Sequence, residues 1–359
     1  MPTSNLLEVG NDGRLFDSYT ALGQAFVKAR LADTAEVRIG RQLQNSLLLR
    51  STRTRAVPDT YSGMSGVLTP LAGLRVYGAY YDSWRPRSSA HFEKFRTEST
   101  AAGVASAIDY VALVGASYGS GPVSVTLEYL NSHNYLSKMG MVGAYSIGLE
   151  ASTLKLSSGV FTSRDAGQLF VCGAERELDC TGTKRIENQG TGVYLDADWK
   201  RGNFTFGAAV AKFDGYWIED NFATNGARTG SLIQDHGTNP FPTAAALGPD
   251  LSNNGETVGS LRVAYDWKAY VTGLRTAFKY AHGTGAKSSN LVNAARGNES
   301  YREFDVTYAV PAVKNMSVRY IYMGYESSID GYATTATIKG MPRKEWDQHR
   351  LYVDYSYRF

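Results

Sequence analysis

A serine between glycines, Gly115-Ala-Ser117-Tyr-Gly119, has the G-x-S-x-G spacing of a nucleophile elbow. That chemistry needs a strand turning sharply into a helix. Here a turn leads straight into Val123, Val125, Leu127 and Tyr129, which alternate with polar residues as another strand. The motif is therefore discounted, and a hydrolase would be revealed by loss of turnover in Ser117→Ala. The five histidines, His91, His133, His236, His282 and His349, fall mostly in loop-like segments without metal-ligand spacing. No metal or other cofactor is called for. Cys172 and Cys180 share one polar segment, Arg164–Gln189. In an oxidising compartment a disulfide between them would add roughly 2–3 kcal/mol. Their spacing suits a metal or redox pair less well.

The elements that must position any chemistry are strands. Leu351, Val353, Tyr355, Tyr357 and Phe359 alternate with polar neighbours, as do Leu261 to Trp267, Leu274 to Tyr280 and Val318 to Tyr322. This is the two-residue period of a sheet with one apolar face. Tight connections fall near 31–34, 69–73, 119–122, 150–152, 200–203, 267–273 and 310–314. Long polar ones fall near 43–58, 85–106, 131–138, 164–189, 214–256, 283–299 and 327–345. Strict alternation of short and long loops is the habit of an up-and-down transmembrane barrel, with short periplasmic turns and long extracellular loops. A soluble sandwich has no reason to sort loop lengths this way. Tyr80, Tyr129, Tyr265, Trp267, Tyr355 and Tyr357 lie toward strand ends, where interfacial girdles require aromatics.

Composition fits this reading. The 359 residues are 43% hydrophobic and 20% charged, with a net charge of +3, too slight to point to nucleic acid. With 37 glycines, 24 tyrosines, 10 prolines and 2 cysteines, neither disorder nor a disulfide-stapled small domain is indicated. A negative mean hydropathy averages a greasy outer face and a wet lumen. The opening Met1-Pro-Thr-Ser-Asn5 has no signal-peptide character. About fifteen strands are expected between residue 23 and the end. Bacterial single-chain barrels have even strand numbers. Residues 1–22 are thus expected on the extracellular side, continuing from upstream strands, with the barrel over 23–359. The terminal Phe359 completes an aromatic alternation resembling the signal read by outer-membrane assembly machinery.

Ala25-Phe-Val-Lys-Ala-Arg-Leu31, Val37-Arg-Ile-Gly40 and Arg53-Thr-Arg-Ala-Val-Pro-Asp-Thr-Tyr-Ser-Gly63 resemble the OprD family of substrate-specific outer-membrane porins. So do Val263-Ala-Tyr-Asp-Trp267, Asn315-Met-Ser-Val-Arg319 and Arg350-Leu-Tyr-Val-Asp-Tyr355. The resemblance runs from about residue 8 to the end and implies an 18-stranded barrel, three strands of which would precede this chain. It also implies a third extracellular loop folded inward, here 43–58, which departs in carrying Leu47-Leu-Leu49 and Arg50 and Arg53 beside Arg55. A basic ladder would comprise Lys28, Arg30, Arg38, Arg319 and Arg350, with Ile321 where many members place a further arginine. Tyr135 and Asp266 would lie near the constriction.

The same residues make physical sense without the resemblance. Charges on a wet inner wall cost little, and guanidiniums spaced along it offer a carboxylate successive bidentate partners. Arg262, Arg275 and Lys279 would extend that wall. Each cation could instead be neutralised by Glu36, Glu128, Asp196, Asp198, Asp305 or Asp354. The expected function is a passive channel for small anionic organic solutes, including aromatic or cyclic acids, in the outer membrane of a Gram-negative bacterium. Basic or zwitterionic amino-acid transport, and poorly selective diffusion, are the alternatives. The expected surroundings are outer-membrane lipid and lipopolysaccharide, the assembly machinery that reads Phe359, and a monomeric or weakly trimeric state.

Overall fold

The computed structural model describes residues 22–52, 58–87, 89–97, 106–171, 187–223, 235–245, 249–287, 295–329 and 344–355. Among these, every regular element is a strand. In order they are β1 (Ala25–Leu31), β2 (Ala35–Gln42), β3 (Thr60–Leu71), β4 (Leu74–Arg85), β5 (Phe95–Arg96), β6 (Ala107–Ile108), β7 (Val111–Ser120), β8 (Val123–Ser132), β9 (Leu136–Leu149) and β10 (Ser152–Asp165). The remainder are β11 (Gln189–Arg201), β12 (Phe204–Asp214), β13 (Asp220–Ala223), β14 (Asp235–Gly237), β15 (Thr257–Asp266), β16 (Leu274–Ala286), β17 (Gly297–Ala309), β18 (Met316–Ser327) and β19 (Glu345–Tyr355). Fifteen form one sheet in chain order, β1-β2-β3-β4-β7-β8-β9-β10-β11-β12-β15-β16-β17-β18-β19. That is the up-and-down order and strand number expected from the loop alternation.

Turn chemistry sets the tight ends. Gly73, Gly202 and Gly273 adopt φ of 81°, 55° and 86°, the left-handed region open to glycine at no steric cost. The sequence gives no warning of a second sheet, β14-β13-β5-β6, built from pieces two to four residues long inside the long connections. Strands this short carry no readable period.

The chain divides into two compact units: Met1–Val142, Val160–Thr191 and Gly215–Pro240 make the first, and Gly143–Gly159, Gly192–Asp214 and Phe241–Phe359 the second. In each, one sheet face exposes apolar side chains. Val27, Ile39, Met64, Val114 and Leu127 do so in the first, and Leu195, Phe206, Leu261, Phe278 and Leu351 in the second. Both outward faces are those of a lipid-exposed wall. Near the tight turns of the second unit, Phe204 and Trp267 each lie within 4.6 Å of the Tyr265 ring centroid, forming the interfacial aromatic cluster.

Candidate functional site

In the first unit, the inner face is covered by the long connections. Residues 44–51 fold into a small hairpin in which Ser46 N donates to Leu49 O and Ser51 N to Gln44 O, each at 2.9 Å. Its tip is gripped by Glu128 on the inner face of β8. One oxygen of Glu128 accepts from Ser46 Oγ at 2.9 Å and Leu48 N at 2.8 Å. The other accepts from Leu47 N at 3.0 Å and Tyr77 Oη at 2.7 Å. Glu128 is fully buried. Four donors are what make a carboxylate tenable there, since a buried charge without hydrogen bonds is very costly.

Tyr77 reaches Glu128 by crossing β7 over Gly115, its register partner and that of Glu128. A Cβ at Gly115 would stand 2.5 Å from the tyrosine ring. The glycine of the G-x-S-x-G pattern thus serves as a saddle. Ser117 sits within the straight β7 ladder, opposite Arg75 and Thr126, with no turn into a helix.

A second inward segment clamps the hairpin from the other side. Asn221 Nδ2 donates to Leu48 O at 3.0 Å, and Arg50 N to Thr238 Oγ1 at 3.1 Å. This segment is hung on the wall by Ser132 Oγ, which donates to Asn221 O at 2.8 Å, and by Ser163 Oγ, which accepts from Ile218 N at 3.0 Å. Lys138, almost wholly buried, donates to Glu219 O and lies 5.3 Å from the Trp217 ring centroid. Phe222 packs 4.9 Å from Trp84 and 4.5 Å from Phe95. Leu48 and Leu49 are buried in the first unit, so the apolar Leu47-Leu-Leu49 insertion is packing material. The Arg50 side chain is exposed; Arg53 and Arg55 lie outside the described residues, as do Cys172, Cys180 and Phe359.

On the wall of the same unit, Lys28, Arg30 and Arg38 share a face with Glu36, by register Lys28↔Arg38 and Arg30↔Glu36. Glu36 takes both guanidiniums, Arg30 at 2.7 Å and Arg38 at 2.6 Å. Lys28 has no ion-pair partner among the described residues. Tyr135 is buried, its ring centroid 5.5 Å from that of Phe170, and belongs to packed structure beside β9.

The second unit holds the denser set of charges, and its register sorts them into rows. One row runs Asp266, Arg275, Thr307, Arg319, Tyr352. The next holds Ala277, Asp305, Ile321 and Arg350, and the third Gly207, Arg262, Lys279, Glu303, Met323 and Gln348. Successive rows are two residues, roughly 6.7 Å, apart along the strands. Arg350 thus stands directly opposite Ile321, the position without its own arginine. Arg319 Nε donates to Asp305 at 2.5 Å. Arg262 donates to Asp196 at 2.5 Å and to Asp198 at 2.8 Å, two strands away, by crossing Gly207. Lys279 Nζ is spent on main-chain carbonyls, Pro242 O at 2.9 Å and Ala244 O, and so ties down an inward segment. Arg275 has no ion-pair partner among the described residues, and Arg350 has Gln348 at 2.8 Å. Asp266 lies at the tight-turn end of β15, accepting from Lys268 N at 3.0 Å.

Sequence reasoning foresaw carboxylates beside the arginines and named Glu36, Asp196, Asp198 and Asp305. It placed Glu128 among those neutralisers, whereas Glu128 binds the hairpin. Tyr77, Asn221, Lys138, Ser163 and Thr238 escaped it altogether. The one signal available was Gly115 opposite a charged strand residue.

A family model described as outer membrane porin, OprD family, matches residues 2–359. Among solved structures, Pseudomonas aeruginosa OccK1 (OpdK) is similar with a TM-score of 0.77 and 22% identity, covering 98% of this chain and 83% of that one. OpdK has also been solved with vanillate, at the same TM-score and identity, covering 98% of this chain and 82% of that one. Acinetobacter baumannii OccAB3 gives a TM-score of 0.78 at 21% identity, covering 99% of this chain and 82% of that one. No curated protein matches the chain.

Proposed function

The chain belongs to the OprD family of outer-membrane porins, and we propose that it admits small organic carboxylates by passive diffusion along the charged rows of its second unit. The observation that carries this reading is the pair Arg275 and Arg350, cations on adjacent rows with no carboxylate partner among the described residues, flanking the half-neutralised Arg319. A carboxylate passing from Arg319 on β18 to Arg350 on β19 moves one row, roughly 6.7 Å, along the strands and about 4.8 Å across them, and each planar fork can take it bidentately. Sites must attract yet release. The carboxylates already on the wall serve that end, because Asp305 competes with solute for Arg319. The OpdK structure with vanillate, an aromatic carboxylate, supports the solute class by analogy.

A second reading, transport of dipolar solutes, draws on Asp266, Asp305 and Glu303, which share rows with the cations. Reversal potentials of the bilayer-reconstituted porin separate the two. Anion selectivity that shifts toward cations in Arg275→Ala and Arg350→Ala, with weakened current block by benzoate-type acids, is expected. Cation selectivity of the unaltered protein would overturn the carboxylate reading.

A further inference from the structure

We propose that the outward face of the second unit carries a binding site for an outer-leaflet lipid with a phosphorylated sugar headgroup. A groove of about 720 Å³ runs there, walled by Leu195, Val210, Leu261 and Tyr280 and floored by Ala208 and Gly259. The depression follows from small residues set among large ones. A Cβ added at Gly259 would meet nothing within 4 Å, so the space above the backbone is open.

The register then places polar groups at one end. Ala208, Leu261 and Tyr280 form one row, Val210, Gly259 and His282 the next, and Lys212, Thr257 and Thr284 the third. The groove floor and the ammonium are therefore about 13 Å apart along the strands. Lys212 Nζ donates to Gly255 O at 2.8 Å, which holds the ammonium at the rim with two N–H groups remaining. His282 is exposed and has no partner among the described residues. One carboxylate, Asp214, follows two residues beyond Lys212 on the same face. The long connections 214–256 and 283–299 leave from this end, so in an outer-membrane porin it faces the outer leaflet.

An apolar trough ending within about 13 Å in an ammonium, an imidazole and two hydroxyls matches an amphiphile. Acyl chain fills the trough, phosphate meets Lys212 and His282, and sugar hydroxyls meet Thr257 and Thr284. A protein partner would need no such change of character over one strand length.

The test is native mass spectrometry of the refolded full chain in detergent, titrated with lipid A and with its dephosphorylated form. The porin is expected to retain lipid A, and retention should fall about tenfold in the double variant Lys212→Glu/His282→Glu, where the ammonium is replaced by a carboxylate and a second carboxylate takes the place of the imidazole. Gly259→Leu, which places a side chain in the trough at a position where a Cβ meets nothing within 4 Å, should reduce retention comparably while leaving heat-modifiable gel migration unchanged. Equal retention of the dephosphorylated lipid, or undiminished retention in both variants, overturns the proposal. So does loss of an oligomer in Gly259→Leu with lipid retention intact, which would make the groove an interface between copies.

Discussion

Replacing Glu128 tests the latch that holds the 44–51 hairpin to the wall. In Glu128→Gln one carboxylate oxygen becomes an amide that cannot accept, so two of the four donors lose their partner whichever way the amide turns. At least one of them is a main-chain N–H beside buried Leu48. Hydrogen bonds to a charged acceptor contribute about 1.5–3 kcal/mol, and an unsatisfied buried donor costs about 1–3 kcal/mol. Allowing for water reaching the freed groups, a loss of about 3 kcal/mol follows, or roughly two powers of ten in the equilibrium between latched and released hairpin. The strand ladder takes no part in the latch, so the folded barrel should survive. Single-channel recording should show larger conductance and added current noise in Glu128→Gln, with unchanged heat-modifiable migration. Tyr77→Phe, which removes one donor, should give a weaker form of the same change. Wild-type conductance and noise in Glu128→Gln would refute the reasoning, because the hairpin would then be held by its packing and its contacts with Asn221 and Thr238.

Gly207→Val tests the saddle beneath Arg262. A Cβ there would sit 2.4 Å from Asp198 and 2.6 Å from Arg262, so the pairs with Asp196 and Asp198 must break, and thermal stability should fall by about 2 kcal/mol or more. An unaltered melting temperature would show that the pairs contribute nothing. Glu256, outside the strands and buried beside Glu299, has its carboxyl pushed above the ordinary value of 4.5 by burial. It accepts from Asn253 N at 2.9 Å and Asn253 Nδ2 at 3.1 Å. A folded-state value raised above the unfolded one means that its contribution is full below about pH 4.5 and is lost as pH rises through the folded value. Glu256→Gln keeps an acceptor for Asn253 without the charge. Melting temperatures recorded from about pH 4 to about pH 8 should therefore decline less with pH in the variant than in the wild type. Parallel profiles would rule the residue out as the source.

What was legible in the sequence is what repeats. The strands and tight turns follow from a two-residue period and from loop lengths, and the register of β15 to β19 turns the listless spread of arginines into rows. The pairing carboxylates were legible as a set, but which arginine takes which carboxylate was not, because that depends on strand neighbours such as Arg262 and Asp196, 66 residues apart. The latch was hidden for the same reason more severely. Ser46 and Leu48 lie 82 and 80 residues from Glu128, and nothing local distinguishes an inward carboxylate that meets an arginine from one that meets a loop. The short strands β5 and β13 meet through Phe95 and Phe222, with Trp84 against Phe222, a tertiary cause that leaves no periodic trace.

Glycine explains how a single-layer wall can be wired across strands at all. Neighbouring strands are about 4.8 Å apart, so side chains on next-but-one strands stand roughly 9.6 Å from each other, with an intervening side chain pointing up between them. Ordinary residues there would block the contact. Gly115 lets Tyr77 reach Glu128, and Gly207 lets Arg262 reach Asp196 and Asp198, each at a position where any Cβ would collide. The two saddles act on opposite problems. One spends a carboxylate on holding a hairpin, and the other spends a cation on two carboxylates. In the second unit, Arg262 is thereby paired with two carboxylates and Lys279 is held by main-chain carbonyls, whereas Arg275 and Arg350 have no carboxylate partner among the described residues. A side chain at either glycine would break the contact it bridges while leaving the sequence of charged residues unaltered. On the carboxylate reading proposed above, selectivity would respond to substitution at two residues that carry no side chain.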